Sequence, residues 1–203
     1  MRIGGVGIVA LLVGCPRDED PVDTGSVLDV GNVFPDADVG VDAALPAVSA
    51  GGTILAVVGL GDLDGDGKAE VAVQLADHVE VWRGADLVAG NADEPWLTFT
   101  GATGVAPAGD LDADGKDDVL AGDDAAWRYF RGADLAGGAV AAGDAHATFT
   151  AGEGRRFRIM SGGSDVDGDG VIDVVGSQYL PNDNGRAREE VYVLSGVDVR
   201  AGG

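Results

Sequence analysis

The pattern D-x-D-x-D-G-x-x-[DE] occurs three times in this chain, as "DLDGDGKAE", "DLDADGKDD" and "DVDGDGVID". The copies begin at Asp62, Asp110 and Asp165, at intervals of 48 and 55 residues. Nearly regular recurrence marks an internal repeat, which restricts the fold to an array of one supersecondary unit. It also poses an electrostatic problem. Carboxylates at alternate positions of a short loop repel one another. Either the segments stay solvated, or something neutralises them.

The spacing suits a hard cation. Calcium takes about six to eight oxygen ligands, and a curled loop can supply several of them. Positions 1, 3 and 5 provide Asp62, Asp64 and Asp66, then Asp110, Asp112 and Asp114, then Asp165, Asp167 and Asp169. Glycine at position 6 permits the sharp turn. Position 7 offers a backbone carbonyl, so its side chain is free to vary: Lys68, Lys116 and Val171. Position 9, which is Glu70, Asp118 or Asp173, is expected to close the shell. Calcium is favoured over magnesium, which keeps more of its water. An EF-hand loop has the same start but ends in a bidentate Glu at position 12 and continues as a helix. Here position 12 is Val73, Ala121 and Gly176, within "EVAVQ", "DVLAG" and "DVVGS". Those short, β-branched runs predict strands.

The net charge is −22, from 35 acidic and 13 basic residues, which argues against nucleic acid as a partner. Four acidic ligands in each of three loops account for 12 of the 35 acids, so metal sites explain part of the excess. The chain begins "MRIGGVGIVALLVGC". One Arg precedes an apolar run too short to span a bilayer, which fits a signal peptide over residues 1–14. Leu12-Val13-Gly14-Cys15 resembles the bacterial lipobox. That resemblance implies a lipidated Cys15 and a lipid-anchored place in the bacterial cell envelope, at the periplasmic face of the outer membrane or at the cell surface. Cys15 is the only cysteine, so no internal disulfide can form. Residues 15–50 are rich in Asp, Pro and Gly with no sustained period, and read as an acidic, disordered tether.

Residues 51–203 hold the repeats, with units at about 52–101, 102–151 and 155–203. Each unit has a strand-like run before a glycine: "HVEVWRG", "AWRYFRG" and "EVYVLSG". The turn-like "GADL" or "GVDV" follows, and the first two units add "WLTFTG" or "ATFTAG". "TILAVVGLG" predicts a strand ahead of the first loop. One unit therefore reads strand, acidic loop, strand, strand, turn, strand. No helix is expected. Four short antiparallel strands in about 50 residues describe one blade of a β-propeller. The aspartate loop, the "DVV" strand and "VYVLSG" together resemble the FG-GAP repeat of the integrin α-subunit propeller and its bacterial relatives. The resemblance covers roughly residues 52–199. It implies an all-β, propeller-like array of about three four-stranded blades, each with a calcium loop between its first two strands. Propellers have about four to eight blades, and the third unit stops short of a fourth strand. A truncated propeller, closure with copies of itself and an open blade stack all remain open, and self-association would cover bare faces.

Little else carries chemistry. His78 and His146 lie apart from any Ser or Cys pattern of nucleophilic catalysis. Trp82, Trp96 and Trp127 fall on strand segments and read as packing residues rather than a sugar platform. The third unit carries a nine-residue insertion near Ser177–Glu190, and Arg155, Arg156, Arg158, Arg186 and Arg188 all lie in this unit. They read as balancing nearby acids, with docking of an anionic partner as the alternative. The expected function is a non-enzymatic, calcium-stabilised binding or adhesion module for a protein or glycan ligand. An enzyme or enzyme accessory domain on the same scaffold, or a repeat remnant without autonomous function, is the alternative.

Overall fold

A computed structural model describes residues 48–180 and 188–202. The expected leader, Cys15, most of the tether and the centre of the insertion lie outside these residues. The described chain is mostly strand and forms three separate sheets, none closed on itself. All-β is therefore the correct class.

Each sheet opens with the same hairpin. In the first, β1 (Ala56–Gly61) and β2 (Glu70–Gln74) flank the first acidic loop, and β3 (His78–Trp82) and β4 (Leu97–Thr100) complete an antiparallel meander. Between them α1 (Gly84–Ala89) occupies the "GADL" turn. The second sheet runs β5 (Gly104–Gly109), β6 (Asp118–Gly122), β7 (Ala126–Phe130) and, beyond β8 (Gly138–Val140), β9 (Ala147–Thr150). Pro107 lacks an N–H and sits on β5, an edge strand, where that loss is tolerated. The third sheet contains only β10 (Arg156–Ser164), β11 (Asp173–Leu180) and β12 (Arg188–Leu194), followed by α2 (Gly196–Arg200). In all three, the register of the first strand shifts as it enters the loop, the mark of a bulge.

Two expectations need correction. The first sheet is not limited to four strands: β8, from the second repeat, pairs parallel with β4 and gives it a fifth, whereas the third sheet has three among the described residues, in line with a unit that stops short of its fourth strand. The first "GADL" and the "GVDV" turn are also short α-helices, six and five residues long, and the second "GADL" is a three-residue 3-10 turn, Gly132–Asp134. No apolar period develops over so few residues, so no helix signal could be read there.

The sheets pack through alternating side chains. Leu60, Val79, Val81, Leu97 and Phe99 of the first sheet meet Val105, Val119, Ala121 and Phe130 of the second. Leu120, Trp127 and Tyr129 on the opposite face of the second meet Phe157, Met160 and Val174 of the third. The outer face of the first sheet carries Val73, Leu75, Trp82 and, from α1, Leu87. Val48 and Ala50, from the end of the expected tether, pack against it.

The glycine before each short helix has a steric cause. A Cβ on Gly84, Gly132 or Gly196 would collide with the backbone oxygen of Ala69, Asp117 or Ile172, the residue at loop position 8. The strand end and the loop can approach this closely only without a side chain. At Gly132 the carbonyl of Leu63, from the preceding repeat, crowds the same point. Gly132→Ala is therefore expected to lower stability by about 1–3 kcal/mol, with a matching fall in Tm. Ala at Gly143, where a Cβ meets nothing within 4 Å, serves as the control.

Candidate metal centres

The three loops share one internal architecture. The position-1 carboxylate accepts the amide of the position-6 glycine: Asp62 from Gly67 at 2.8 Å, Asp110 from Gly115 at 3.0 Å and Asp165 from Gly170 at 2.9 Å. Those glycines have φ of 86°, 94° and 90°, as the turn requires. Asp64, Asp112 and Asp167 each accept the position-5 amide at 3.0–3.1 Å. Asp66, Asp114 and Asp169 accept the amides of Lys68, Lys116 and Val171 at 2.8–2.9 Å. Each carboxylate uses part of its acceptor capacity on the loop itself and keeps lone pairs for a further partner. Loop position 4 is Gly65 and Gly168 in the outer copies, both at φ 83°, but Ala113 at φ 63° in the middle one. The middle loop thus holds a left-handed alanine, which costs about 1–2 kcal/mol.

Oxygen atoms of Asp62, Asp64 and Asp66 lie within 4.8 Å of one another. So do those of Asp110, Asp112 and Asp118, and those of Asp165, Asp167 and Asp173. Each loop therefore gathers three carboxylates that could hold a metal ion. The sets are not identical. Position 5 joins in the first copy only, and position 9 in the second and third.

Position 9 has a second role that its residue type does not disclose. Glu70, Asp118 and Asp173 are fully enclosed. Glu70 accepts the amide of Leu63 at 2.6 Å and that of Gly84 at 3.4 Å. Asp118 accepts from Leu111 at 2.9 Å, from Gly132 at 2.9 Å and from the Tyr129 hydroxyl at 2.7 Å. Asp173 accepts from Val166 and Gly196, both at 2.8 Å. One buried carboxylate thus joins the start of the loop to the repeat glycine in every unit. Burial raises the pKa of Glu70 and Asp118 above the usual carboxylate range, against the pull of their hydrogen bonds. Burial and the adjacent Asp118 raise the Tyr129 phenol as well. For Asp173 the balance reverses. Its side chain is out of contact with solvent but lies in the thinner third sheet, and the amides of Gly196 and Val166 hold its pKa down.

Arg83 and Arg131, which the loop pattern does not include, offset the charge of the first two loops. The Arg83 guanidinium lies 3.0 Å from Asp64, without hydrogen-bonding alignment at Nε, and stacks 4.6 Å from the Trp96 ring. Arg131 stands 4.0 Å from Asp112 and pairs mainly with Asp134. Their shared offset, one residue before the repeat glycine, was visible in the sequence; Ser195 takes that place in the third copy. Asp117 is a further addition. Its carboxylate accepts the Asp62 amide at 2.8 Å and its own amide donates to the Asp62 carbonyl at 2.9 Å, so the second loop clasps the first.

The other candidates resolve differently. Trp127 is buried between the second and third sheets, and Trp82 is buried on the outer face of the first sheet in the cluster that includes Leu87. His78 lies 2.7 Å from Asp77 and 3.4 Å from Glu80, and these carboxylates raise its pKa; His146 Nε2 lies 2.8 Å from the Arg200 carbonyl. Among the described residues neither meets a serine. Arg155, Arg156, Arg158 and Tyr179 line a cleft of about 700 Å³ beside the Asp124 turn. Arg156 is hydrogen-bonded to Asp124 at 2.9 Å, while Arg155 and Arg158 lie 3.8 and 3.9 Å from Glu190 and Glu189. Arg155, Arg156 and Arg158 are thus matched by acids, as is Arg188, 3.7 Å from Glu190. Arg186 lies outside the described residues.

Comparison with protein-family models, with curated proteins and with solved structures finds no match.

The carboxylate at position 9 predicts a metal-independent loss. Asp118→Ala leaves three donors without a partner, an expected cost of at least about 3 kcal/mol. Denaturant unfolding in excess chelator checks it. A carboxylate that served only as a metal ligand would cost nothing there.

Proposed function

We propose that this protein is a calcium-stabilised, non-enzymatic binding module of propeller-like repeats, held at the bacterial envelope by a lipid on Cys15. The observation that carries the metal reading is the convergence of three carboxylates in each of three loops, within 4.8 Å in every case. The loops are too acidic to be neutralised from within. Arg83 and Arg131 offset two of them in part, and among the described residues no ion pair reaches Asp165, Asp167 or Asp169. Oxygen-only donors at this density suit a hard cation, and partly exposed loops suit weak, extracellular-type affinity of roughly 10⁻⁴–10⁻³ M. Three sheets, each opened by a loop-bridged hairpin and stacked on the next, support the repeat reading.

Metal bound only to the folded state stabilises it by about 2.7 kcal/mol per site at a hundred times the dissociation constant. Thermal unfolding in millimolar calcium should therefore occur well above that in chelator, and Asp165→Ala should remove more of the difference than Asp62→Ala, because the third loop has no guanidinium beside it. Coincident melting curves with and without calcium would refute the structural-ion reading. The anchor is tested separately. Cys15→Ser should move the protein from the membrane to the soluble fraction, and unchanged membrane retention would remove the lipid.

A further inference from the structure

Loop position 8 is outside the ligand pattern and differs in every copy: Ala69, Asp117 and Ile172. In the middle copy it ties two loops together. The Asp117 carboxylate accepts the Asp62 amide at 2.8 Å, and the Asp117 amide donates to the Asp62 carbonyl at 2.9 Å. Both backbone polar groups of the first loop's position-1 residue are therefore held by one residue of the second loop. The approach is close. A Cβ on Gly61 would collide with the Asp117 carboxylate, and one on Gly65 would meet the Lys116 side chain at 3.2 Å. Between the second and third loops the equivalent residue is Ile172. Its Cδ1 would stand 3.0 Å from a Cβ on Gly109, and among the described residues no hydrogen bond joins those two loops.

We propose, on the basis of the calcium reading of the loops, that the first two loops bind their cations with positive cooperativity through Asp117, while the third loop binds independently. Asp117 is in neither carboxylate cluster, so it acts by positioning Asp62. It stands between Lys116, the position-7 residue, and Asp118, whose carboxylate belongs to the second cluster. A cation in the second loop fixes these neighbours and Asp117 with them. Asp117 then holds the Asp62 backbone where the Asp62 carboxylate meets those of Asp64 and Asp66. Ordering supplied by one cation no longer has to be supplied by the other, which favours the second binding event. Linkage makes the effect equal in both directions. Repulsion between the two cations opposes it, but salt screens charges at partly exposed loops, and the two hydrogen bonds act by contact.

The amides of Gly67, Gly115 and Gly170 each report one loop, because each is bonded to that loop's position-1 carboxylate. A calcium titration of the full chain, followed by the NMR resonances of these glycines, gives one dissociation constant per site. Asp112→Asn removes a ligand from the second loop and leaves Asp117 in place. It is expected to weaken calcium binding at Gly67 by about fivefold or more, the lower range of measured couplings, with Gly170 unchanged. Asp64→Asn should weaken binding at Gly115 by a similar factor, and Asp167→Asn should alter neither. Asp117→Ala should make Gly67 insensitive to Asp112→Asn. Asp117→Asn, which keeps an oxygen acceptor for the Asp62 amide, should preserve the coupling. If Asp117→Ala does not fold, Asp112→Asn decides the coupling by itself. An unchanged constant at Gly67 in Asp112→Asn would overturn the cooperativity and leave the calcium reading intact. A coupling that survives Asp117→Ala, or that extends to Gly170, would overturn the role of Asp117. No shift at any of the three glycines at calcium far above roughly 10⁻³ M would overturn the calcium reading and the coupling with it.

Discussion

Each repeat is organised around one buried carboxylate. Glu70, Asp118 and Asp173 receive the amide that starts the acidic loop and the amide of the glycine that ends the third strand. Without that acceptor, two backbone donors would be enclosed without partners, a cost of about 1–3 kcal/mol each. The glycine must be bare for the approach to occur, because the position-8 carbonyl occupies the space a Cβ would need. The loop's curl, the hairpin it bridges and the start of the short helix all follow from this junction. The same geometry brings the position-1 and position-3 carboxylates together above it.

The enclosed acid and the acidic loop make opposite electrostatic demands. Burial works against charge on Glu70 and Asp118, and their hydrogen-bond donors favour it. A cation at the loop mouth would shift that balance toward the charged form. Arg83 and Arg131 offset part of the loop charge from within the chain, at Asp64 and Asp112, and the third loop has no such arginine. The three sites are therefore chemically graded, although their sequences look alike.

The loops and most strands were legible because their signals are local. Alternate aspartates, a glycine with positive φ and β-branched runs need only a few residues to read, and β2, β6 and β11 lie where those runs do. The position-9 acid was legible as a residue but not in its structural role, since a metal ligand and an amide acceptor require the same side chain. Arg83 could have been found by its offset from the repeat glycine. Asp117 could not, because its partner Asp62 belongs to another repeat, 55 positions away. β8 was hidden for a similar reason. "GAV" has no period of its own and becomes a strand only where β4 offers a free edge.

That short strand changes how the array should come apart. In a simple repeat stack each unit interacts with its neighbour through one interface, and the ends melt first. Here the chain leaves the second sheet after β7, crosses to lie parallel with β4, and returns to the second sheet as β9. Opening the first sheet pulls on the connection that places β9, and loss of β9 leaves β8 without its tether. The first two sheets are therefore interlocked and should behave as a single cooperative unit. The third, joined by packing without a shared strand, is free to fray on its own.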